Sequence, residues 1–258
     1  MDDRAPISVL LLARDETRDL EELIPALAFA REVVVVWDPR GDAATRAAAE
    51  RLGARVHERV FDGFGPQRSF ALSRCAEPWV LWLDADERLD AAAKAAVRRA
   101  ATAPPSSATH HALSRATWFL GRRIRYCGWQ GETLVRLFRR DRARFDDAPV
   151  HEQVAVDGAQ GPLLPGTIEH WSYRRFEDCV AKCVRYARAG AEKAWRRGRR
   201  AGALDVLVRP PLRFLRQYVL QLGFLDGGHG LVLCGFAAAQ VFLKYADLWQ
   251  RTRAGTRA

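Results

Sequence analysis

Residues Trp79–Glu87 read Trp-Val-Leu-Trp-Leu-Asp-Ala-Asp-Glu, and the predicted fold is built outward from them. The five apolar residues that open the stretch are typical of a strand buried on both faces, as in a parallel sheet. The strand runs directly into two carboxylates, Asp84 and Asp86, which an extended chain would point to the same side. Because like charges this close repel, the pair favours a bound cation or a set of hydrogen-bond donors.

Strand and helix patterns alternate over the first third of the chain. Such alternation, with a polar turn after each strand, predicts an α/β fold with a mostly parallel central sheet. Ligands bind beyond the carboxyl ends of the strands in such sheets, where Asp84 and Asp86 would lie. The predicted strands are Ile7–Leu12, Glu32–Trp37, Arg55–Val60 and Trp79–Leu83, and the predicted helices are Asp19–Ala30, Ala43–Leu52 and Gln67–Cys75.

Composition indicates a globular protein with an excess of positive charge. The 258 residues are 48% apolar, and the formal net charge is +10. The charge is concentrated in residues 174–216, which hold thirteen Lys and Arg against four Asp and Glu. A basic block of this kind implies an acidic partner such as anionic lipid, nucleic acid or a phosphorylated substrate. The five cysteines contain no Cys-x-x-Cys pair and are expected to be buried thiols in the cytosol. No signal peptide is expected at the N-terminus.

The C-terminal part of the chain is predicted to be helical. We expect a domain at 1–173 and a basic helical region at 174–258. The last predicted helix contains an apolar run, Leu231–Leu243, that is shorter than the roughly twenty residues a membrane span needs. Together with the basic residues of Arg209–Arg216, it favours helices lying on an anionic membrane surface. The alternative is an ordinary helical subdomain packed on the core.

Common nucleotide-binding motifs are absent from the sequence. No Gly-x-Gly-x-x-Gly follows the first strand and no Walker loop occurs, so the common dinucleotide-binding and P-loop sites have no support in the sequence. An aspartate phosphatase would also carry Asp-x-Asp after a strand. That chemistry usually places the pair after the first strand with a threonine two residues on, where this chain has Arg88. The phosphatase is kept as an alternative.

Several short motifs in fixed order resemble those of family 2 glycosyltransferases, which have the GT-A fold. Within that family the resemblance is to the subgroup that includes lipopolysaccharide core β-1,4-glucosyltransferases. The motifs are spread from Ile7 to Trp249, so the resemblance covers nearly the whole chain. They are Arg14-Asp15-Glu16, Gly63-Phe64-Gly65-Pro66-Gln67-Arg68, Leu83-Asp84-Ala85-Asp86-Glu87-Arg88, Gly128-Trp129, Arg136-Leu137-Phe138-Arg139-Arg140, Pro149-Val150-His151-Glu152, His170-Trp171-Ser172-Tyr173, Gly223-Phe224-Leu225-Asp226-Gly227 and Phe242-Leu243-Lys244-Tyr245.

The resemblance implies a divalent cation, Mg²⁺ or Mn²⁺, on the diphosphate of a nucleotide sugar. Asp86 is then the expected metal ligand. Asp84 would support the metal or contact the ribose of the donor. His151 is expected to complete the metal shell, and His170 is the alternative for that role or for binding the diphosphate.

The resemblance also implies a set of donor-binding residues, two of which depart from the family pattern. Glu16 corresponds to a nucleotide contact, and Gln67 lies beside Arg68, which stands where a lysine is usual. The aspartate that recognises the base is replaced by Trp37, so Asp38 would serve in its place after a shift of one residue. This departure keeps open a transferase scaffold that has lost its activity.

Inverting transfer needs a carboxylate that removes the proton from the acceptor hydroxyl. Glu132 is the first candidate for this base and Glu152 the second. The sequence therefore predicts a metal-dependent inverting glycosyltransferase that moves a hexose from a nucleotide sugar to a lipid-linked or lipopolysaccharide-core acceptor. UDP-hexose is the first candidate for the donor. Its expected location is the inner face of the cytoplasmic membrane, without nucleic acid as a partner. The alternative from another class is a non-enzymatic nucleic-acid-binding protein that uses the basic block.

Overall fold

A computed structural model describes residues 3–104, 107–145 and 154–255. The chain divides into two compact units. The first unit comprises Met1–Arg115 and Glu132–His170, and the second comprises Ala116–Gly131 and Trp171–Ala258.

The first unit contains the predicted alternation of strands and helices. Its elements begin with β1 (Ala5–Ala13), α1 (Thr17–Ala26), β2 (Ala30–Trp37), α2 (Ala43–Arg51), β3 (Arg55–Glu58), α3 (Phe64–Arg74), β4 (Trp79–Trp82), β5 (Glu87–Leu89) and α4 (Ala91–Thr102). Strands β6 (Ala108–Phe119) and β12 (Leu164–Tyr173) start in this unit and run on into the second. The remaining strands are β8 (Thr133–Arg139), β9 (Ala143–Phe145), β10 (Val154–Val156) and β11 (Ala159–Gln160), while β7 (Arg122–Arg123) belongs to the second unit.

The main sheet has the strand order β3-β2-β1-β4-β8-β6-β12-β5. Strands β3, β2, β1 and β4 are mutually parallel, and β8 returns antiparallel to β4. Ala13 of β1 pairs with Trp37 of β2, and Trp37 pairs with Glu58 of β3. The carboxyl ends of these strands are therefore level, which brings the loops that follow them to one edge of the sheet.

Apolar residues fill both faces of this sheet, as the uninterrupted apolar runs predict. Leu11 faces a cluster that contains buried residues of α1, α2 and α4, whereas its neighbour Leu10 faces a cluster with α3. Because successive side chains of a strand alternate between faces, a strand between two helical layers is apolar at every position. The α/β class predicted from the sequence is confirmed, with parallel pairing concentrated in the first four strands.

The predicted end of the first helix is wrong. Helix α1 ends at Ala26, whereas the sequence pattern extends the helix to Ala30, which is the first residue of β2. The backbone N–H of Leu27 donates to the carbonyl of Ile24, and that of Ala30 donates to the carbonyl of Leu27. Alanine and leucine favour helix, but residues 27–29 form a turn here because the chain must enter the buried strand β2 directly afterwards.

The second unit is mainly helical. It contains α5 (Phe176–Arg196), α6 (Ala203–Leu215) and α7 (Gly227–Gly255), with a π-helical turn and a 3₁₀ turn between α6 and α7. Helix α7 packs against both α5 and α6. All five cysteines of the chain are buried free thiols, as predicted.

Within the described residues, the segment Gly223–Ala254 is long and apolar enough to cross a membrane, judged on length and composition alone. Of the most apolar 18-residue window in this segment, 17% is buried. This helical segment is longer than the apolar run read from the sequence, because residues 227–230 before that run and residues 244–254 after it are helical too.

Candidate active site

The two aspartates of the opening stretch lie in a tight turn between β4 and β5. The backbone N–H of Glu87 donates to the carbonyl of Asp84 at 3.0 Å. The N–H of Asp84 in turn donates to Oε2 of Glu87 at 3.1 Å. The extended conformation predicted for this tripeptide is therefore wrong. The chain turns here because Glu87 begins a new strand, β5, which pairs with β12 and does not continue β4.

A buried ion pair anchors this turn. Glu87 is fully buried, and its Oε1 lies 2.7 Å from Nη2 of Arg136, which is 2% exposed. Burial raises the pKa of the Glu87 carboxyl, while the charge of Arg136 acts in the opposite direction. Arg136 also reaches Asp84, with 3.3 Å between Nη2 and Oδ2. Its guanidinium carbon lies 4.2 Å from the ring centroid of Trp82.

A second guanidinium reaches Asp84 from α3. Nη2 of Arg68 lies 3.5 Å from Oδ1 of Asp84. The guanidinium carbon of Arg68 lies 4.4 Å from the ring centroid of Trp82 and 5.1 Å from that of Phe64. Stacking on aromatic faces is typical of arginine and holds the plane of the guanidinium in place. Asp84 therefore has a cation facing each carboxylate oxygen.

Asp86 faces an imidazole rather than an arginine. His170 is the last residue of β12 that belongs to the first unit. Its Nε2 atom lies 3.3 Å from Oδ2 of Asp86. The Nδ1 atom of His170 is buried and, among the residues described, has no hydrogen-bond partner. We call Asp84, Asp86 and Glu87 with Arg68, Arg136 and His170 the strand-end network.

The strand-end network supplies only some of the ligands that a divalent cation needs. No set of three or more His, Cys, Asp or Glu is placed to hold a metal within 3–104, 107–145 and 154–255. Asp86 supplies a carboxylate, and His170 supplies an imidazole beside it. Mg²⁺ is commonly held by one or two carboxylates with water and substrate phosphates completing the shell, so the residues present fit such an ion.

The loops after β1 and β2 place two further predicted residues at the same edge. Oε2 of Glu16 accepts hydrogen bonds from the N–H groups of Arg14 and Asp15, at 2.6 and 2.9 Å. Burial raises the pKa of the Glu16 carboxyl, and these two bonds act in the opposite direction. Asp38 is 3% exposed, and both its oxygens accept hydrogen bonds from Arg40. These bonds lower the pKa of the Asp38 carboxyl to about 2.

The remaining predicted residues are divided between described and undescribed parts of the chain. Glu132 is bound by Arg115 through both oxygens, with Nε to Oε2 at 3.0 Å and Nη2 to Oε1 at 2.9 Å. Gln67 is buried, and its amide nitrogen donates to the carbonyl of Arg59 at 3.0 Å. His151 and Glu152 lie outside the described residues.

Two arginines of this site were not assigned a role from the sequence. Arg136 is flanked by Val135, Leu137 and Phe138 in β8, so a charge inside a buried strand was the available signal. Arg115, which binds Glu132, also lies 3.5 Å from Oε1 of Glu87. Nothing in the residues around Arg115 indicates that contact, because it depends on the register of β6.

No model of a known protein family matches the chain. Curated proteins, by contrast, are similar to the chain. The chain is 25% identical to the lipopolysaccharide core biosynthesis glycosyltransferase LpsC of Rhizobium meliloti (strain 1021), over 96% of this chain and 93% of that protein. It is 24% identical to an uncharacterized glycosyltransferase of Rickettsia typhi, over 94% of this chain and 86% of that protein. The chain is a glycosyltransferase homologue. The resemblance predicted from the ordered motifs is confirmed, and the similarity spans both units.

Solved structures give a weaker likeness. The chain matches glucosyl-3-phosphoglycerate synthase from Mycobacterium tuberculosis, solved with Mn²⁺, uridine diphosphate and glucosyl-3-phosphoglycerate, at a TM-score of 0.39 and 19% identity. The match covers 53% of this chain and 57% of that chain. The same enzyme with Mn²⁺ and UDP-glucose matches at the same TM-score of 0.39. The chain therefore spans a little over half the length of these solved chains.

Proposed function

We propose that the protein is a metal-dependent, inverting glycosyltransferase that moves a hexose from a nucleotide sugar to a lipid-linked or lipopolysaccharide-core acceptor. The observation that carries this proposal is the strand-end network, where carboxylates and guanidinium groups from separate elements meet at one edge of a parallel sheet. A donor diphosphate needs both a cation held by carboxylates and fixed positive charge. Both kinds of group are within 4 Å of one another in this network.

In the proposed active site Asp86 and His170 hold Mg²⁺ or Mn²⁺, with Asp84 beside them. The ion would neutralise charge on the diphosphate as it leaves. Arg68 and Arg136 supply fixed positive charge at the same place, where preorganised donors stabilise a developing anion. We assign Glu16, Asp38 and Gln67 to the nucleotide end of the donor. His151, the ligand expected from the resemblance, remains a candidate for the metal shell.

The base is assigned to Glu132, with Glu152 as the alternative. Both oxygens of Glu132 receive hydrogen bonds from Arg115. Each carboxylate oxygen has two lone pairs, so Glu132 can accept the proton of the acceptor hydroxyl while Arg115 holds the carboxylate in place. Gln variants separate the two candidates, because loss of the base abolishes transfer and leaves donor affinity intact.

We place the protein at the inner face of the cytoplasmic membrane, held there by its second unit. Many large apolar side chains of α6 and the following turns are exposed, among them Leu204 at 74% and Leu220 at 77%. Helix α7 lies against α5, and Arg251 of α7 is paired with Glu192 of α5. A charged helix packed along α7 favours docking on the surface over crossing the bilayer.

The test is sugar transfer or hydrolysis with a panel of nucleotide sugars, UDP-glucose first, with and without Mn²⁺ or Mg²⁺. We expect donor turnover that requires the ion and a loss of about 10²–10³-fold in kcat for Asp86→Asn. Asp62→Asn is the matched control because Asp62 is an exposed carboxylate that pairs with Arg59, outside the strand-end network. The anomeric configuration of the product reports whether transfer inverts.

Turnover that is unchanged in Asp86→Asn, or that persists in excess chelator, would contradict the metal role. Binding of duplex or single-stranded nucleic acid, with no affinity for any nucleotide sugar, would favour the nucleic-acid-binding alternative instead. Donor binding without turnover by any acceptor would favour an inactive scaffold.

A further inference from the structure

A cavity of ≈270 Å³ in the second unit is lined by four basic side chains. Arg199 and Arg200 come from the segment between α5 and α6, Arg209 from α6 and Lys244 from α7. We call this cavity the basic pocket. It is separate in sequence from every residue of the strand-end network, and the proposed sugar transfer makes no use of it.

The positive charge of the basic pocket is only partly compensated by its lining. Among the described residues that line it, Asp205 is the acidic one, against four basic side chains. That carboxylate already accepts hydrogen bonds from Nε of Arg209 at 2.6 Å and from the N–H of Gly202 at 3.0 Å. Burial, and after it the neighbouring guanidinium groups of Arg199 and Arg209, lower the pKa of the Lys244 ammonium. An anion bound in the pocket would relieve this repulsion.

Packing holds the basic side chains in place without neutralising them. The guanidinium carbon of Arg209 lies 4.8 Å from the ring centroid of Tyr245, and that of Arg200 lies 4.0 Å from that of Trp195. The stem of Lys244 lies against α5 at Gly190, where an added Cβ would be 3.2 Å from its Cδ. Cations that are fixed before a ligand arrives lose little entropy on binding it.

An exposed apolar stripe adjoins the basic pocket on the same helix. Asp205 and Arg209 each follow, by one residue, a member of this stripe, so the stripe and the wall of the pocket occupy neighbouring faces of α6. The stripe continues toward the π-helical turn, where Val219 and Leu220 are also exposed. Its members in α6 are Leu204, Val208, Leu212 and Leu215, exposed at 74, 45, 57 and 52%.

We propose that the basic pocket binds the phosphate of an anionic membrane phospholipid, whose acyl chains lie along the apolar stripe of α6. A phosphate joined to hydrocarbon matches a cationic pocket joined to an apolar surface. Nucleic acid would use the cations and leave the stripe in water. This inference rests on the membrane association proposed above and names the lipid group that the second unit recognises.

The experiment measures flotation of the full chain with vesicles of phosphatidylcholine, with and without phosphatidylglycerol. The pocket variant is Arg199→Gln with Lys244→Gln. Its matched control is Arg185→Gln with Arg197→Gln, which removes the same charge from exposed positions outside the cavity. Because Lys244 is half-buried, the exposed Arg199 is also changed alone, to Gln and to Lys.

We expect the wild-type chain to prefer vesicles that contain phosphatidylglycerol. The pocket variant is expected to lose about 25-fold of that partition, since each of the two side chains in contact with the lipid phosphate contributes about fivefold. The control and Arg199→Lys keep the preference. Leu204→Gln with Leu212→Gln weakens partition onto both kinds of vesicle.

Three outcomes would overturn the proposal, each in a different way. Equal losses in the pocket variant and its control would show general surface charge and leave the membrane association standing. No partition of the wild-type chain onto either vesicle would remove the membrane association itself. A thermal shift with glycerol phosphate that depends on Arg199, without any preference among vesicles, would identify a soluble phosphate ligand.

Discussion

The strand-end network and the basic pocket are both rich in arginine, yet they balance charge in opposite ways. In the network, the carboxylate of Glu87 and the guanidinium of Arg136 are buried together and 2.7 Å apart. In the pocket, four cations surround one carboxylate that is already hydrogen-bonded. The Glu87–Arg136 pair is balanced within the protein, whereas the lining of the pocket carries more cations than carboxylates.

The buried Glu87–Arg136 pair therefore contributes to the stability of the fold, whereas the cations of the pocket are available to a ligand. Burying a charge is costly unless a partner is fixed beside it, so a buried arginine depends on an acidic group of the protein for its stability. An exposed cluster of like charges carries no such requirement and is retained at some cost in repulsion. Removing a cation should therefore change stability in opposite directions at the two places.

The largest effect is expected at Arg136. In Arg136→Met the carboxylate of Glu87 stays buried without its main counter-charge, and we expect the free energy of unfolding to fall by about 3–5 kcal/mol. Urea denaturation followed by tryptophan fluorescence measures this loss. Adding Glu87→Gln to the same chain should recover part of it.

Arg139 provides the control on the same strand. Its side chain is 41% exposed, and its Nε lies 3.8 Å from Asp141. Arg139→Met should therefore cost less than about 1 kcal/mol. Equal losses in the two variants would mean that the buried pair does not distinguish the network from any other arginine in β8.

An intermediate effect is expected at His170, the member of the network whose Nε2 lies 3.3 Å from Oδ2 of Asp86. His170→Ala should raise the Mn²⁺ concentration needed for half-maximal donor turnover by about 10–100-fold, the usual cost of losing a group that supports a metal site. His110→Ala is the control, because His110 lies in the same sheet with its Nδ1 3.2 Å from Thr109. An unchanged Mn²⁺ dependence with reduced kcat would assign His170 to the substrate instead.

The smallest effect, of opposite sign, is expected at Lys244. Lys244→Met removes a repelled cation, so the free energy of unfolding at neutral pH should rise by less than about 1 kcal/mol. The pKa of Lys244 is lowered from its ordinary 10.5, so the unfolded chain binds more protons than the folded chain just below that pH. Wild-type stability should consequently gain as pH rises toward 10.5, and the variant should lack this gain. A loss of stability in Lys244→Met would show that its packing outweighs the repulsion.

Much of the fold could be predicted because its signals are local. Unbroken apolar runs predict buried strands, and the basic and apolar helices after residue 174 are periodic over several turns. The aspartates were found for the same reason, since they follow a strand directly. Arg136 and Glu87 are 49 residues apart in sequence, and no pattern within β8 names its partner.

By itself the sequence determined the alternating strands, the position of Glu16, Asp38 and Asp84 just after predicted strands, and the excess charge of the C-terminal helices. Only the tertiary structure decided that Asp84–Glu87 is a closed turn, that Asp84 faces two arginines and that Asp86 faces His170. The first set depends on the period and polarity of neighbouring residues. The second depends on which strands pair and in what register, and that follows from burial of the whole sheet. Trp79–Glu87 could therefore be located as a site from its own residues, while its charge partners come from β8, β12 and α3.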